Sequence, residues 1–293
     1  GRVAIVGGSS AGLGYAVAER MASEGAAVVV VSRSQPRVDA AVERIRAAGG
    51  DAVAGVAADL TDPESPQRLA DAAAEVFGPP TIVVANAGGP PPMPAVEATA
   101  DDLDSACATL LKPVQRLLHA TLPAMHAADW GRFVAITSIA VRQPQPGLVL
   151  SNSLRAAVTG YLKSVADEVA GSGITVNTVL PGYTETERLR ELAASMAERD
   201  GTTVEGVLEQ WAQHAPVGRL LRPEEVAAAV VFLCSEAASG ITGVALPVDG
   251  GFGRGLLGRV DRRLSSESAE WPHGTGRLRC RFDEALGSRS TAI

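Results

Sequence analysis

A turn of glycines and small residues, Gly7-Gly8-Ser9-Ser10-Ala11-Gly12-Leu13-Gly14, joins the apolar run Val3 to Val6 to an Ala-rich stretch of helical period. Glycines at Gly8, Gly12 and Gly14 let the backbone turn tightly and approach a ligand. Free N–H groups at the start of the following helix attract a pyrophosphate. The pattern predicts dinucleotide binding, with Ser9, Ser10 and Leu13 on the same turn, against the bland alternative of a plain Gly-rich turn. At the end of the second apolar run, Ser32-Arg33-Ser34 stands where an acidic residue would accept a ribose 2′-hydroxyl. No carboxylate is there to repel a phosphate, and Arg33 can pair with a 2′-phosphate, so NADP(H) is preferred over NAD(H). The competing reading of Arg33 is a solvated loop charge. Asp59, with Leu60 beside it, follows the third run and is a candidate for the adenine edge. An Asp opening the Thr61-Asp62-Pro63 helix start serves equally well as a cap.

These residues stand at the ends of alternating elements. Short β-branched runs predict strands at Val3 to Val6, Ala27 to Val31, Ala52 to Ala57, Thr81 to Ala85, Arg132 to Thr137, Ile174 to Leu180 and Val244 to Val248. Between them lie helical patterns at Gly12 to Ser23, Pro36 to Ala48, Pro63 to Phe77, Asp101 to Ala127, Ser151 to Ala170 and Pro223 to Ser235, with further helical material from Thr186 to Gln213. Strands that read apolar throughout and are separated by helices indicate a parallel sheet covered on both faces. The expected fold is a doubly wound α/β domain of Rossmann type over residues 1–253, followed by a C-terminal extension, 254–293, of disordered character.

Charge and composition exclude several functions. The net charge is −7, divided between −10 for residues 1–253 and +3 for the Arg-rich extension, so the body is too acidic for a nucleic-acid surface. Cys107, Cys234 and Cys280 are far apart and odd in number, giving neither a disulfide framework nor a zinc spacing. A metal site is therefore not expected, and a cytoplasmic, reducing compartment is. With no apolar run of 18 residues and no signal-peptide shape, no membrane association is expected.

The chain resembles the short-chain dehydrogenase/reductase family, of the 3-oxoacyl-carrier-protein reductase-like kind, from residue 2 to about 253. Four motifs carry the resemblance: the Gly8, Gly12, Gly14 turn; Asn86-Ala87-Gly88; Pro181-Gly182; and Gly243 through Val248-Asp249-Gly250-Gly251. The resemblance implies that Asn86, Ala87 and Gly88 steady the sheet beside the cofactor, and that Pro181, Gly182 and Thr184 to Thr186 lie near the nicotinamide. It implies a mobile lid over Tyr183 to Arg219 that shapes the pocket for a small-molecule substrate; Arg188, Arg190, Glu191 and Met196 belong to it. It also implies a homodimer or homotetramer built on the long helices Asp101 to Ala127 and Ser151 to Ala170.

The same resemblance exposes a departure. Ser138 occupies the place of the family's catalytic serine. Thirteen residues on, where the family has Tyr and then Lys four further along, this chain has Ser151 and Arg155; Leu110 falls where the family has an Asn. A Ser hydroxyl is a far poorer acid than Tyr, and Arg155, always protonated, is expected to hold ribose hydroxyls without joining a proton relay. A substitute arrangement has Ser138 and Asn152 orienting an oxygen while Tyr183 supplies the proton. Tyr15 and Tyr161 read as structural, and His214 as a surface residue. Three function classes stay open: an oxidoreductase with a rearranged proton donor acting on a carbonyl or alcohol of a medium-sized apolar molecule, a non-redox lyase, isomerase or cyclase on the same fold, and a cofactor-binding pseudoenzyme or partner subunit.

Overall fold

The computed structural model describes residues 1–255; the expected extension lies outside the described residues except for its first two positions. Seven strands, β1 (Val3–Val6), β2 (Ala27–Ser32), β3 (Val53–Ala57), β4 (Ile82–Ala85), β5 (Gly131–Ile136), β6 (Ile174–Pro181) and β7 (Ala245–Val248), form one all-parallel sheet in the order β3-β2-β1-β4-β5-β6-β7. The order reverses between β1 and β4, and in such sheets the ends of the strands at the switch point open a crevice for ligands. The Gly turn after β1 and the Asn86 motif after β4 therefore meet there.

Helices α1 (Gly12–Ser23), α2 (Gln35–Ala47), α3 (Ser65–Phe77), α4 (Ala100–Ala127) and α5 (Val149–Val169) follow β1 to β5. After β6 come α6 (Glu187–Asp200), α7 (Val204–His214) and α8 (Pro223–Leu233). One core gathers α1, α2 and α8 on one face of the sheet; the other gathers α3, α4 and α5 on the opposite face. Leu162 of α5 is 1% exposed in the second core. Leu162→Ala is expected to lower stability by about 2–5 kcal/mol through lost transfer energy and a residual cavity, to be read as the shift of a chemical-denaturation midpoint.

Boundaries differ from the sequence expectation where local chemistry intervenes. The third helix begins at Ser65 rather than Pro63, because Asp62 accepts from the Glu64 N–H at 3.1 Å and from the Ser65 hydroxyl at 3.1 Å, holding a turn ahead of it. The helical stretch after β6 is two helices. Gly201, at φ +65°, ends α6 in the left-handed region, and the Thr203 hydroxyl accepts from Gly206 N–H to start α7. Among the described residues, no helix is long and apolar enough to cross a membrane, and no cluster of three or more His, Cys, Asp or Glu is gathered for a metal.

Candidate active site

The glycine turn is shaped by contacts that only glycines allow. Gly8 and Gly12 have φ of +57° and +55°. A Cβ on Gly14 would stand 2.3 Å from the Gly8 carbonyl oxygen, which lets α1 pack directly under the turn. Asn86 reaches across from β4 and donates through Nδ2 to the carbonyls of Gly7, at 3.2 Å, and Gly8, at 3.4 Å. The first turn of α1 has no side-chain cap and no acidic residue, so its N–H groups remain available to an anion.

Ser9 is held differently from the rest of the turn. Fully buried, its hydroxyl donates to the Val6 carbonyl at 2.6 Å and accepts from the Val31 N–H at 2.8 Å. That side chain ties β1 to β2 beneath the turn, which assigns it to shaping the loop; Ser10, Gly12 and Leu13 are half-buried and Gly8 is exposed. Arg33 is exposed past the end of β2 and has no salt-bridge partner among the described residues. Asp59 accepts from both the N–H and the hydroxyl of Thr61, at 2.9 and 2.8 Å, which holds its carboxyl below the usual range, with Arg33 adding a smaller pull. Asp59 does not cap α3, whose N-cap position is Glu64.

Pro181 ends β6, and Gly182 follows it against Asp249. Thr184 is buried and its hydroxyl donates to the Gly182 carbonyl at 3.1 Å, while Thr186 caps α6 and lies close enough that a Cβ on Gly12 would meet its Cγ2 at 3.5 Å. The start of the expected lid therefore sits directly over the dinucleotide turn.

Ser151 and Arg155 share one face of α5, the i, i+4 relation bringing Arg155 Nε to donate to Ser151 Oγ at 3.2 Å. Arg155 Nη1 also donates to the carbonyls of Ile136, at 3.2 Å, and Thr137, at 3.0 Å, and Nη2 lies 3.5 Å from the Gly88 carbonyl. Its guanidinium thus spans the ends of β4 and β5, directly before Ser138, whose half-buried hydroxyl accepts from Ala140 N–H at 3.1 Å. Beneath it a cavity of about 30 Å³, room for one water, is lined by Asn86, Leu110, Thr137 and Arg155. Burial, and then the charge of Arg188, push Arg155 down to about 10. The group remains a cation at neutral pH.

Two members of the substitute arrangement, Tyr183 and Asn152, both bond to Gln145. Tyr183 donates to Gln145 Oε1 at 3.1 Å, stacks on Trp211 with ring centroids 4.7 Å apart, and meets the Phe252 ring edge-on at 5.4 Å. Burial raises its hydroxyl to about 12, making it a weaker acid than free tyrosine. Asn152 spends its amide on the Gln145 backbone, donating to the carbonyl at 2.9 Å and accepting from the N–H at 3.2 Å. Gln145 is the residue that sequence reasoning missed, a hub joining the Pro-rich loop, α5 and Tyr183. Its place between Pro144 and Pro146 was the only local signal. Tyr183→Phe is expected to leave turnover within about threefold and to cost about 1 kcal/mol in a thermal melt, the worth of one hydrogen bond. A hundredfold fall in turnover would return Tyr183 to the role of donor. As expected, Tyr15 is buried in the first core, Tyr161 packs with its hydroxyl 3.5 Å from His119 Nε2, and His214 is exposed.

With this geometry in view, the sequence model of the family described as Enoyl-(Acyl carrier protein) reductase matches residues 8–253. The chain belongs to the short-chain dehydrogenase/reductase family. It is similar to the 3-oxoacyl-acyl-carrier-protein reductase FabG of Escherichia coli, with 34% identity over 251 residues, covering 86% of this chain and 97% of that protein. L-Sorbose reductase from Gluconobacter frateurii, solved with NADPH and L-sorbose, superposes with a TM-score of 0.82 at 34% identity over 87% of this chain and 98% of that one. An NADPH-bound short-chain oxidoreductase from Pseudomonas aeruginosa, described as containing an atypical catalytic centre, gives a TM-score of 0.78 at 30% identity over 87% of this chain and 97% of that one.

Proposed function

We propose that the protein is an NADP(H)-dependent oxidoreductase that interconverts a carbonyl and an alcohol on a small to medium, largely apolar molecule, without the family's Tyr–Lys pair. The observation that carries the reading is Arg155, with Ser151 beside it, directed at the strand ends next to an intact dinucleotide turn. The residues present fit the cofactor: Gly8 and Gly12 hold the positive φ of a tight turn, the first turn of α1 is uncapped, and Arg33, past the end of β2, has no salt bridge among the described residues. NADPH complexes of the sorbose reductase and of the Pseudomonas oxidoreductase support the same choice.

When bound, the nicotinamide exchanges a hydride with the substrate carbon. What the chain adds follows from its own groups. Arg155 places a fixed positive charge beside Ser151, where it stabilises negative charge developing on the substrate oxygen. Because Ser151 Oγ accepts from Arg155 Nε, its own O–H is left to donate to that oxygen. Ser138 supplies a second hydroxyl from the end of β5. Neither serine is an acid strong enough to deliver a proton by itself at neutral pH, so these hydroxyls orient the oxygen and pass on a proton drawn from water.

The test is a fluorescence titration with NADPH and NADH followed by turnover against a carbonyl panel. Tight NADPH binding with NADPH oxidation supports the reading. Binding without oxidation for any carbonyl would turn it into the non-redox or partner-subunit reading on the same fold.

A further inference from the structure

The lid carries a second arginine to the opening of the site. Arg188, in the first turn of α6, donates through Nη2 to the carbonyls of Gly89, at 3.3 Å, and Pro90, at 3.1 Å. Arg155 approaches the same loop from α5, with its Nη2 near Gly88. Both guanidinium groups converge on the exposed side-chain position of Gly89, where a Cβ would be in ordinary contact with Arg188 Nη2, at 3.6 Å, and with Arg155 Nη2, at 4.0 Å. Two cations from separate elements thus flank one solvent-facing gap at the loop.

Their charges are poorly balanced. Arg132, another arginine set among backbone carbonyls at the sheet, has the Glu236 carboxylate at 3.4 Å. Arg155 has only neutral partners among the described residues: Ser151 and three carbonyls. Arg188 pairs with Glu191 at 3.2 Å through its other terminal nitrogen, Nη1, where both side chains are about half exposed and water screens the pair. The Arg188 charge depresses Arg155, the mark of two like charges sharing a site. An anion entering the gap would relieve that repulsion and accept charge-assisted hydrogen bonds from both groups.

Resting on the reading of this site as that of a reductase, we propose that Arg155 and Arg188 bracket a subsite for an anionic group of the substrate, a carboxylate or a phosphate, so that the preferred substrates are oxo or hydroxy acids rather than neutral ketones. The carbonyl ring of Gly88, Gly89 and Pro90 holds the arginines in place but carries no net charge, so it orients them without neutralising them.

The experiment compares oxo acids (phenylpyruvate, benzoylacetate, benzoylpropanoate) with their amides in NADPH-dependent reduction, and measures calorimetric binding of the non-reducible phenylpropanoate to the full chain with and without NADPH. At least one acid is expected to exceed its amide about tenfold in kcat/KM. Arg188→Gln is expected to remove that advantage, mainly through KM, and to leave the amide within twofold; Arg188→Lys retains part, and Gly89→Ala, which intrudes on the gap without changing charge, loses part. Arg46→Gln removes the same charge from the last turn of α2 and is expected to change neither substrate. Equal losses for acid and amide in Arg188→Gln would overturn the proposal in favour of a clamp that only closes the lid. A matching loss of NADPH affinity in the same variant would assign the arginines to the cofactor diphosphate and equally overturn it. If no carbonyl is reduced but phenylpropanoate binds and Arg188→Gln abolishes its binding, the subsite stands and the reductase reading falls. If phenylpropanoate and inorganic phosphate both fail to bind while NADPH binds, the subsite falls.

Discussion

Ser151→Tyr combined with Arg155→Lys is expected to raise NADPH-dependent reduction of a generic activated ketone about 10²–10⁴-fold over the native protein, the usual contribution of a positioned general acid. The geometry favours the pair. Ser151 and Arg155 already meet across one helical turn, 3.2 Å apart, on the face of α5 that looks towards Ser138 and the strand ends. A Tyr and a Lys at the same positions inherit that relation, because i, i+4 side chains share a helix face whatever their identity. Lysine lacks the planar fork that lets Arg155 hold Ile136, Thr137 and Ser151 together, so its ammonium is freer to lower the tyrosine pKa and to follow the substrate oxygen. Each single change is expected to give less than about a tenth of the double variant's gain, since the two groups act as one unit. Steady-state rates on the four proteins form the cycle, with thermal melts and NADPH titrations confirming that each is folded and loaded. A double variant no faster than the native protein, though folded and cofactor-bound, would show that more than the lost pair separates this site from an ordinary reductase. Leu110 at the wall of the small cavity under Arg155 would then be the next position to change.

Arg33→Ala is expected to weaken NADPH binding about tenfold to a hundredfold, about 1–3 kcal/mol, while leaving NADH within twofold. Arg33 is exposed past β2, in Ser32-Arg33-Ser34, and Asp59 is near enough for its carboxyl to feel the arginine's charge. An added 2′-phosphate would meet one cation and one nearby anion, so the preference rests on Arg33 reaching the phosphate directly. Because the site is open to solvent, the preference should shrink as salt rises from low ionic strength to several tenths molar. Equal affinities for the two cofactors in the native protein, or a preference that survives the substitution, would remove Arg33 from cofactor selection.

The layout of the fold was legible because it is written in local spacing. Apolar β-branched runs alternating with helical periods specify parallel strands with crossover helices, whereas the strand order β3-β2-β1-β4-β5-β6-β7 was decided by the tertiary structure. The Gly turn was readable for the same reason: positive φ at Gly8 and Gly12 and the contact under Gly14 are demands that only glycine meets. The Ser151–Arg155 pair could also be read directly, since four residues on a helix make one face. Where the local signal was a cap competing with a repeat, as at Asp62 and at Gly201 to Thr203, the helix boundaries moved.

What the tertiary structure alone decided lies in contacts between residues distant along the chain. Tyr183 and Gln145 are 38 positions apart, Ser9 and Val31 22, Arg188 and Gly89 99. Spacing says nothing about such pairs, and side-chain chemistry permits several partners for each. Tyr183 reads as an acid until burial against Trp211 makes it a weak one. Ser9 reads as a ligand residue until β2 claims its hydroxyl, and Arg188 reads as a surface charge until the lid lays it beside Arg155 across Gly89. The sequence by itself determined which elements form, in what order, and which residue types stand at the strand ends, because periodicity and backbone stereochemistry act between near neighbours. The availability and charge balance of those side chains were settled only when the sheet closed over them, because desolvation and pairing depend on what the rest of the chain brings alongside.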